Sequence, residues 1–227
     1  MSIRNLMEML RTGAAPFYTD FGRDFYENVK WHHPVEKVMF VYKLFVELEN
    51  ISLKSRMLSR EAVGEPLLES GSLEFAETAH RLFKRMRIPS DIVSGTLKNN
   101  PDSGRYYWNI IKIDDVPFHW DVFLANPRRQ EILESIGIST PFKIDKLFYN
   151  FFCVSTREIS RTHTIDNAEF VGECNYELSD ELIRKLATMT IQINFSKPGL
   201  MGMRPVPPVE IIGYERLSKP LQITYQM

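Results

Sequence analysis

The pattern that most constrains the fold runs from residue 72 to residue 127, where a helical repeat is followed by three β-type segments. After Ser72, apolar side chains recur at the spacing of one helix face. The β-type segments are Ile92–Leu97, Tyr106–Ile113 and Val116–Leu124, and the last two are separated only by Asp114-Asp115. A two-residue turn of this kind favours a tight antiparallel hairpin. This order of elements predicts an α+β domain in which helices pack on one side of an antiparallel sheet.

The flanking sequence adds further helices and strands. Apolar residues follow Pro34 at i, i+3, i+4 and i+7 from Val35, which predicts an amphipathic helix that begins near the proline. The remaining expected elements are a helical patch over 128–136, a strand over Leu147–Val154, a short helix over Ser179–Leu186, and β-type pieces over Thr190–Phe195, Val209–Tyr214 and Leu221–Tyr225.

Composition and charge exclude several classes of protein. The chain has 227 residues, of which 44% are hydrophobic, enough for a sizeable core. A formal charge of −1 without a basic stripe gives no electrostatic case for nucleic-acid binding. The apolar runs are shorter than the roughly 20 residues of a membrane span, and the first 13 residues lack the apolar region of a signal peptide. The sequence therefore predicts a cytoplasmic protein, or a secreted one if a leader is missing.

Five phrases within the core stand in a fixed order. They are Ser70-Gly71-Ser72-Leu73-Glu74-Phe75-Ala76, Ile88-Pro89, Ile92-Val93-Ser94-Gly95, Gly104-Arg105-Tyr106-Tyr107-Trp108-Asn109 and Phe118-His119-Trp120-Asp121-Val122. This series resembles the core of the transglutaminase-like superfamily, whose members read Gly-x-Cys-x-Gly-Tyr-Ala, Ile-Pro, Val-Ser-Gly, His-Ala-Trp-Asn and His-x-Asp-x-x-Trp. Glu158-Ile159-Ser160 and Thr162-His163-Thr164 resemble the tail of that family.

The resemblance implies a papain-like fold and three parts of the chain. These are an irregular segment over 1–34, a transglutaminase-like core over 35–176, and a helix-and-strand extension over 177–227. It also implies that the reactive residues of the family have been replaced. Its cysteine position falls on Ser72, its histidine position falls on Tyr106, and only the acid, Asp121, is retained.

The two replacements remove the chemistry of the family. A cysteine in the first turn of a helix is activated by the helix dipole and by a histidine, which an aspartate orients. The hydroxyl of Ser72 has a much higher pKa than a thiol and needs a general base. Tyr106 is a poor base because a phenol, with an ordinary pKa of about 10, keeps its proton at neutral pH. Serine near a helix start is also what capping prefers.

Other residues around these positions have weaker claims. His119 shares a strand face with Asp121 and is either framework or a substitute base for Ser72. Tyr107, Trp108, Asn109 and Trp120 either line a peptide-binding groove or turn inward and close the site. His163, in the tail phrase, has no partner at convincing spacing. Cys153 is expected to be buried and Cys174 exposed, neither as a nucleophile. No metal site and no cofactor are expected.

Three functions are consistent with these residues. The first is a catalytically degenerate transglutaminase-like domain that binds a protein or peptide partner or acts as a scaffold. The alternative is a serine-variant acyl hydrolase or acyl transferase with Ser72 as the nucleophile. The third is a purely structural domain whose working surface lies elsewhere, such as the Pro- and Met-rich linker over 197–208.

Overall fold

The structure is a computed structural model that describes residues 33–46, 67–100, 104–166, 173–188, 190–193 and 209–212. Residues 1–32 of the irregular segment expected over 1–34 lie outside these residues, as do the linker over 197–208 and the strand expected over Leu221–Tyr225. Helix α1 covers residues 34–46, and its first residue is Pro34, as predicted. Its apolar face is buried, with Val35, Val38 and Met39 fully enclosed.

Helix α2 spans Leu67–Arg85, so it begins five residues before the predicted start at Ser72. Ala79, Leu82 and Phe83 are buried at helical spacing in the second half of the helix. The predicted apolar face of this helix is therefore confirmed. The helix then closes through two backbone bonds, from Arg87 N to Lys84 O and from Ile88 N to Phe83 O. This is the C-terminal capping pattern in which one residue adopts a left-handed conformation.

The sheet has four antiparallel strands in the order β3-β2-β1-β6. Strand β1 spans Ser90–Leu97, β2 spans Tyr106–Ile113, β3 spans Val116–Trp120 and β6 spans His163–Ile165. The turn between β2 and β3 consists of Asp114 and Asp115, whose φ angles of 50° and 65° suit a tight hairpin. The predicted hairpin is therefore confirmed, although β3 ends at Trp120 and not at Leu124.

The two faces of the sheet are covered differently. Side chains alternate along each strand. On one face, Asn109 donates through Nδ2 to Ala76 O of α2 at 3.0 Å, and the rings of Trp120 and Phe83 lie 4.9 Å apart. Helix α1 covers the same face through Tyr42, whose ring lies 5.6 Å from that of Trp120. The two long helices therefore occupy one face, which leaves the opposite face for other packing.

The chain after β3 is mostly irregular. It contains 3₁₀ turns at Phe123–Ala125 and Pro127–Arg129, helix α3 at Gln130–Ser135, the paired strands β4 at Lys143–Ile144 and β5 at Leu147–Phe148, and helix α4 at Thr156–Ile159. The predicted strand over Leu147–Val154 is wrong beyond Phe148, because Phe152 N turns back to Tyr149 O and Cys153 has a φ of 57°. Val154 then forms a single bridge with His119.

Helix α5 spans Asp180–Ala187, with Ser179 as its N-cap, which confirms the predicted short helix. Its residues Ile183 and Leu186 belong to the same hydrophobic cluster as α1, α2 and the sheet. Strands β7, Thr190–Ile193, and β8, Val209–Ile212, pair antiparallel. The α+β class is confirmed. No helix within the described residues combines the length and the apolar character needed to cross a membrane.

Candidate functional site

A buried polar cluster of Tyr106, Asp121 and His163 lies on the sheet face opposite the long helices. Tyr106 opens β2, and Asp121 directly follows β3. His163 opens the edge strand β6, which pairs with β1 so that Leu97 faces His163. All three side chains are at most 2% exposed. The sheet thus gathers groups that lie 15 and 42 residues apart in the sequence.

The carboxylate of Asp121 is held by three neighbours. Its Oδ1 accepts the backbone N–H of Phe123 at 2.9 Å, and its Oδ2 accepts the phenol O–H of Tyr106 at 2.7 Å. The Nε2 of His163 lies 3.5 Å from Oδ2. Hydrogen bonds and a nearby imidazole offset the cost of burying a carboxylate, so the cluster is compatible with the interior.

Tyr106 acts in this cluster as a proton donor. Burial is the main cause that raises the pKa of its phenol well above the usual 10, and the charge of Asp121 raises it further. The phenol therefore keeps its proton at neutral pH. In the position where the transglutaminase-like pattern has a histidine, the chain has a group that cannot withdraw a proton from a nucleophile.

His163 is the residue that the sequence reasoning missed. Its ring is enclosed by aromatic side chains, with centroids 5.4 Å from Tyr106, 5.1 Å from Trp108 and 5.1 Å from Phe151. Its Nδ1 lies 2.8 Å from Thr162 Oγ1, whereas its Nε2 faces Asp121 beyond hydrogen-bonding geometry. The sequence showed His163 only as one residue of the tail segment. Its neighbour Asp121 could not be predicted, because the two residues are brought together by the pairing of β6 with β1.

His119 belongs to a second, neighbouring chain of hydrogen bonds. The indole N–H of Trp108 donates to His119 Nδ1 at 3.0 Å, and His119 Nε2 lies 3.0 Å from Thr156 Oγ1. Since an indole can only donate, Nδ1 is the acceptor and Nε2 carries the proton. Burial, followed by the neighbouring His163, lowers the pKa of His119 to about 3. Both ring nitrogens are therefore engaged, and the imidazole is neutral.

Ser72 lies apart from both groups. It is fully buried in the second turn of α2, so it does not cap the helix. Its Oγ donates to Glu69 O at 3.1 Å and accepts the backbone N–H of Tyr107 at 3.2 Å. No hydrogen bond joins Ser72 to Tyr106, Asp121 or His119 within the residues that the structure describes. The resemblance placed Ser72, Tyr106 and Asp121 in one site. In the structure, Ser72 belongs to helix α2, whereas Tyr106 and Asp121 lie on the sheet face opposite that helix.

Phe123 fills the space between Tyr106 and the beginning of α2. Its ring centroid lies 6.0 Å from that of Tyr106 and 5.3 Å from that of Phe75. A Cβ placed on Gly71 would meet the Phe123 ring at 2.8 Å, so glycine there permits the contact. The guanidinium of Arg129 covers the same ring at 3.8 Å from its centroid. An aromatic side chain therefore packs between Tyr106 and helix α2.

Three of the four residues predicted to line a binding groove are buried. Trp108, Asn109 and Trp120 are at most 1% exposed, whereas Tyr107 is partly exposed. Asn109 is bonded to α2, and Trp108 is bonded to His119. Three of the four side chains are therefore enclosed in the core.

Both cysteines of the chain lie within the described residues. Cys153 and Cys174 are unpaired and buried. The prediction that Cys174 is exposed is wrong, because its backbone N–H and C=O bond Thr156 and draw the segment against α4. No group of three or more His, Cys, Asp or Glu side chains with metal-binding geometry occurs among the described residues.

No protein-family model matches the chain, and no curated protein matches it at a significant level.

Proposed function

We propose that this protein is a catalytically inactive, transglutaminase-like domain with a papain-like fold that serves as a protein- or peptide-binding scaffold. The proposal is supported by the order of its elements. A long helix carrying the Ser72 phrase precedes three antiparallel strands, and the retained acid, Asp121, directly follows the third. The Val-Ser-Gly phrase also has a physical reason here, since Gly95 lets β6 approach β1 closely.

The observation that supports the proposed inactivity is that the hydroxyl of Ser72 has no hydrogen bond to a basic side chain within the described residues. The hydroxyl of Ser72 donates a hydrogen bond to a backbone carbonyl, Glu69 O. Asp121 instead accepts a hydrogen bond from the phenol O–H of Tyr106. Loss of one member of a catalytic triad lowers the rate by roughly 10⁴-fold or more. Here the nucleophile and the proton acceptor are both replaced, so measurable turnover is not expected.

The serine-hydrolase alternative would require a base beside Ser72. His119 was the candidate, but its Nδ1 accepts from Trp108 and its Nε2 carries a proton. A histidine whose pKa is lowered to about 3 is also a weak base at neutral pH. The geometry therefore weighs against this alternative.

The burial of the aromatic residues changes where a partner would bind. Trp108 and Trp120 are enclosed in the core, so substituting them would disturb folding before it disturbed recognition. We therefore assign partner binding to the outer surface of the domain and not to the position of the former cleft.

A fluorophosphonate probe tests the inactivity directly. The purified protein and its Ser72→Ala variant are treated with a fluorescent fluorophosphonate, next to a known serine hydrolase that reports probe quality. We expect no labelling of either form, because the hydroxyl is buried and has no base. Labelling of the native protein that disappears in Ser72→Ala would overturn the proposal and establish the enzyme alternative.

A cysteine substitution checks that the position is enclosed. Ser72→Cys should react with iodoacetamide at least about 100-fold more slowly than Ser139→Cys in the folded state, because Ser72 is buried and Ser139 is exposed. Equal rates would mean that reagents reach the site, and the closed-site argument would then fail.

A further inference from the structure

We propose that His163 carries a proton on both ring nitrogens and that its ion pair with Asp121 is a latch, which holds the edge strand β6 against the rest of the sheet. The latch is closed while both charges are present. Removal of either charge should release β6 while the rest of the domain stays folded.

The neighbours of the His163 ring place a proton on each of its nitrogens. Its Nε2 lies 3.5 Å from Asp121 Oδ2, and a carboxylate oxygen only accepts, so a bare Nε2 would set two lone pairs against each other. Its Nδ1 lies 2.8 Å from Thr162 Oγ1, which donates its single proton to Ile159 O. The hydroxyl therefore accepts from Nδ1, and an imidazole with two protons is a cation.

The carboxylate of Asp121 needs such a cation. It accepts the phenol O–H of Tyr106 and the backbone N–H of Phe123, as an ionised carboxylate does. The side chains of Asp121 and His163 are 1% and 0% exposed, and a buried charge without a partner is strongly unfavourable. Among the described residues, His163 is the only basic side chain within ion-pairing distance of this carboxylate.

The second buried imidazole, His119, does not supply the charge. Its Nδ1 accepts the indole N–H of Trp108, so it holds one proton only. After burial, the charge of His163 is the second cause that lowers the pKa of His119 to about 3. The titratable groups of the described residues that face His163 are thus Tyr106 of β2, His119 of β3 and Asp121 after β3. Of these three, only Asp121 bears a charge.

Strand β6 depends on this pair because few other side chains fix it. The strand has three residues, of which His163 is buried, Thr164 is exposed and Ile165 is half-buried. It lies at the edge of the sheet opposite β3, and Asp121 directly follows β3. The ion pair therefore joins the two edges of the sheet across Tyr106. The one side chain that β6 buries is also the one whose charge can be removed.

Nitrogen-15 NMR of the histidine rings at pH 7 tests the protonation. The His163 ring is assigned through nuclear Overhauser effects to Tyr106 and Phe151, whose centroids lie 5.4 and 5.1 Å away. We expect two protonated nitrogens at His163 and one bare nitrogen at His119, which serves as the internal reference. In Asp121→Asn, His163 should lose its second proton, because no carboxylate remains to favour the cation. One bare nitrogen at His163 in the native protein would overturn the proposal.

Amide hydrogen exchange tests the latch. The reporters are the amides of Lys98 and Asp166, which donate to Thr162 O at 2.8 Å and to Ser94 O at 3.0 Å on either side of β6. In His163→Gln, these two amides should exchange at least about tenfold faster than in the native protein, because the glutamine has no charge to pair. The amides of β2 should change less than about threefold.

His80→Gln is the matched control. It replaces a histidine of α2 that is bonded to Ser90, so it should leave the exchange of the reporter amides unchanged. Two results would refute the latch, namely native exchange of the reporters in His163→Gln, or equal acceleration of the reporters and of β2. If His163→Gln does not fold, the same exchange comparison is made in Asp121→Asn, and the nitrogen spectrum of the native protein still decides the protonation.

Discussion

Acid should destabilise this protein through His119 in a way that can be isolated from its other histidines. His119 is completely buried and neutral, with a pKa lowered from 6.5 to about 3 mainly by burial. In the unfolded chain the same imidazole regains an ordinary pKa. The unfolded state therefore binds the proton more readily than the folded state, and stability is retained above pH 6.5 and lost as the pH falls from 6.5 towards 3.

The size of this effect follows from the two pKa values. At pH 5 the unfolded imidazole is almost fully protonated and the folded one is not, so the free energy of unfolding is lower by about 2 kcal/mol than at pH 7. The loss reaches about 4 kcal/mol near pH 3, which is a large part of the stability of an ordinary domain.

Urea unfolding at pH 7, 6 and 5 measures the effect, with His119→Asn as the comparison. The variant is expected to be less stable at pH 7, because Trp108 and Thr156 lose their shared partner. Its free energy of unfolding should nevertheless fall by about 2 kcal/mol less between pH 7 and pH 5 than that of the native protein. Equal decreases in the two proteins would refute the assignment of a neutral, buried His119.

Three more predictions follow from the described contacts. Gly95→Ala should lower the free energy of unfolding by about 3 kcal/mol or more, because the new Cβ would lie 1.8 Å from a backbone carbonyl of β6; a melting temperature within two degrees of native would contradict this. Tyr106→Phe should lower it by about 2 kcal/mol, since Asp121 loses a charge-assisted hydrogen bond, and unchanged urea unfolding would exclude that bond. Cys153 and Cys174 should not react with a disulfide reagent at pH 8 until the chain is unfolded, because burial raises the pKa of both thiols, that of Cys174 to about 11; rapid reaction in native buffer would show that they are accessible.

Matched variants control two of these experiments. Ser94→Ala adds no Cβ to the same strand, so it should lower the free energy of unfolding far less than Gly95→Ala does. Tyr107→Phe removes a phenol O–H that makes no hydrogen bond within the described residues, so it should leave stability nearly unchanged. If a control variant loses as much free energy of unfolding as its test variant, the effect belongs to the strand as a whole and not to the contact named.

Local sequence patterns predicted the elements whose causes are local. The apolar repeat after Pro34 and the Asp114-Asp115 turn each depend on neighbours within a few residues, and both are confirmed. The helix over Asp180–Ala187 was likewise predicted from local sequence. Its N-cap is Ser179, whose Oγ accepts a hydrogen bond from the backbone N–H of Leu182. The prediction of a strand over Leu147–Val154 was wrong beyond Phe148. Its apolar residues are buried in an irregular segment, and a continuous apolar run does not distinguish such a segment from a buried strand.

The position of the polar groups could not be obtained in this way. The resemblance implied one site for Ser72, Tyr106 and Asp121. In the structure, strand alternation places Tyr106 and Asp121 on the sheet face opposite α2. His163 joined them only because β6 pairs with β1. Each of these relations is set by strand pairing between distant segments, which no local pattern encodes.

The sequence by itself determined the class of fold, the hairpin and the helix faces, because residue types and local periodicity are sufficient for these. Only the tertiary structure decided that Asp121 is paired with Tyr106 and His163, that His119 is neutral between Trp108 and Thr156, and that Phe123 packs against Tyr106. The physical reason is that hydrogen-bond partners and burial depend on which distant segments are brought together, and burial in turn raises the pKa of Tyr106 and lowers that of His119.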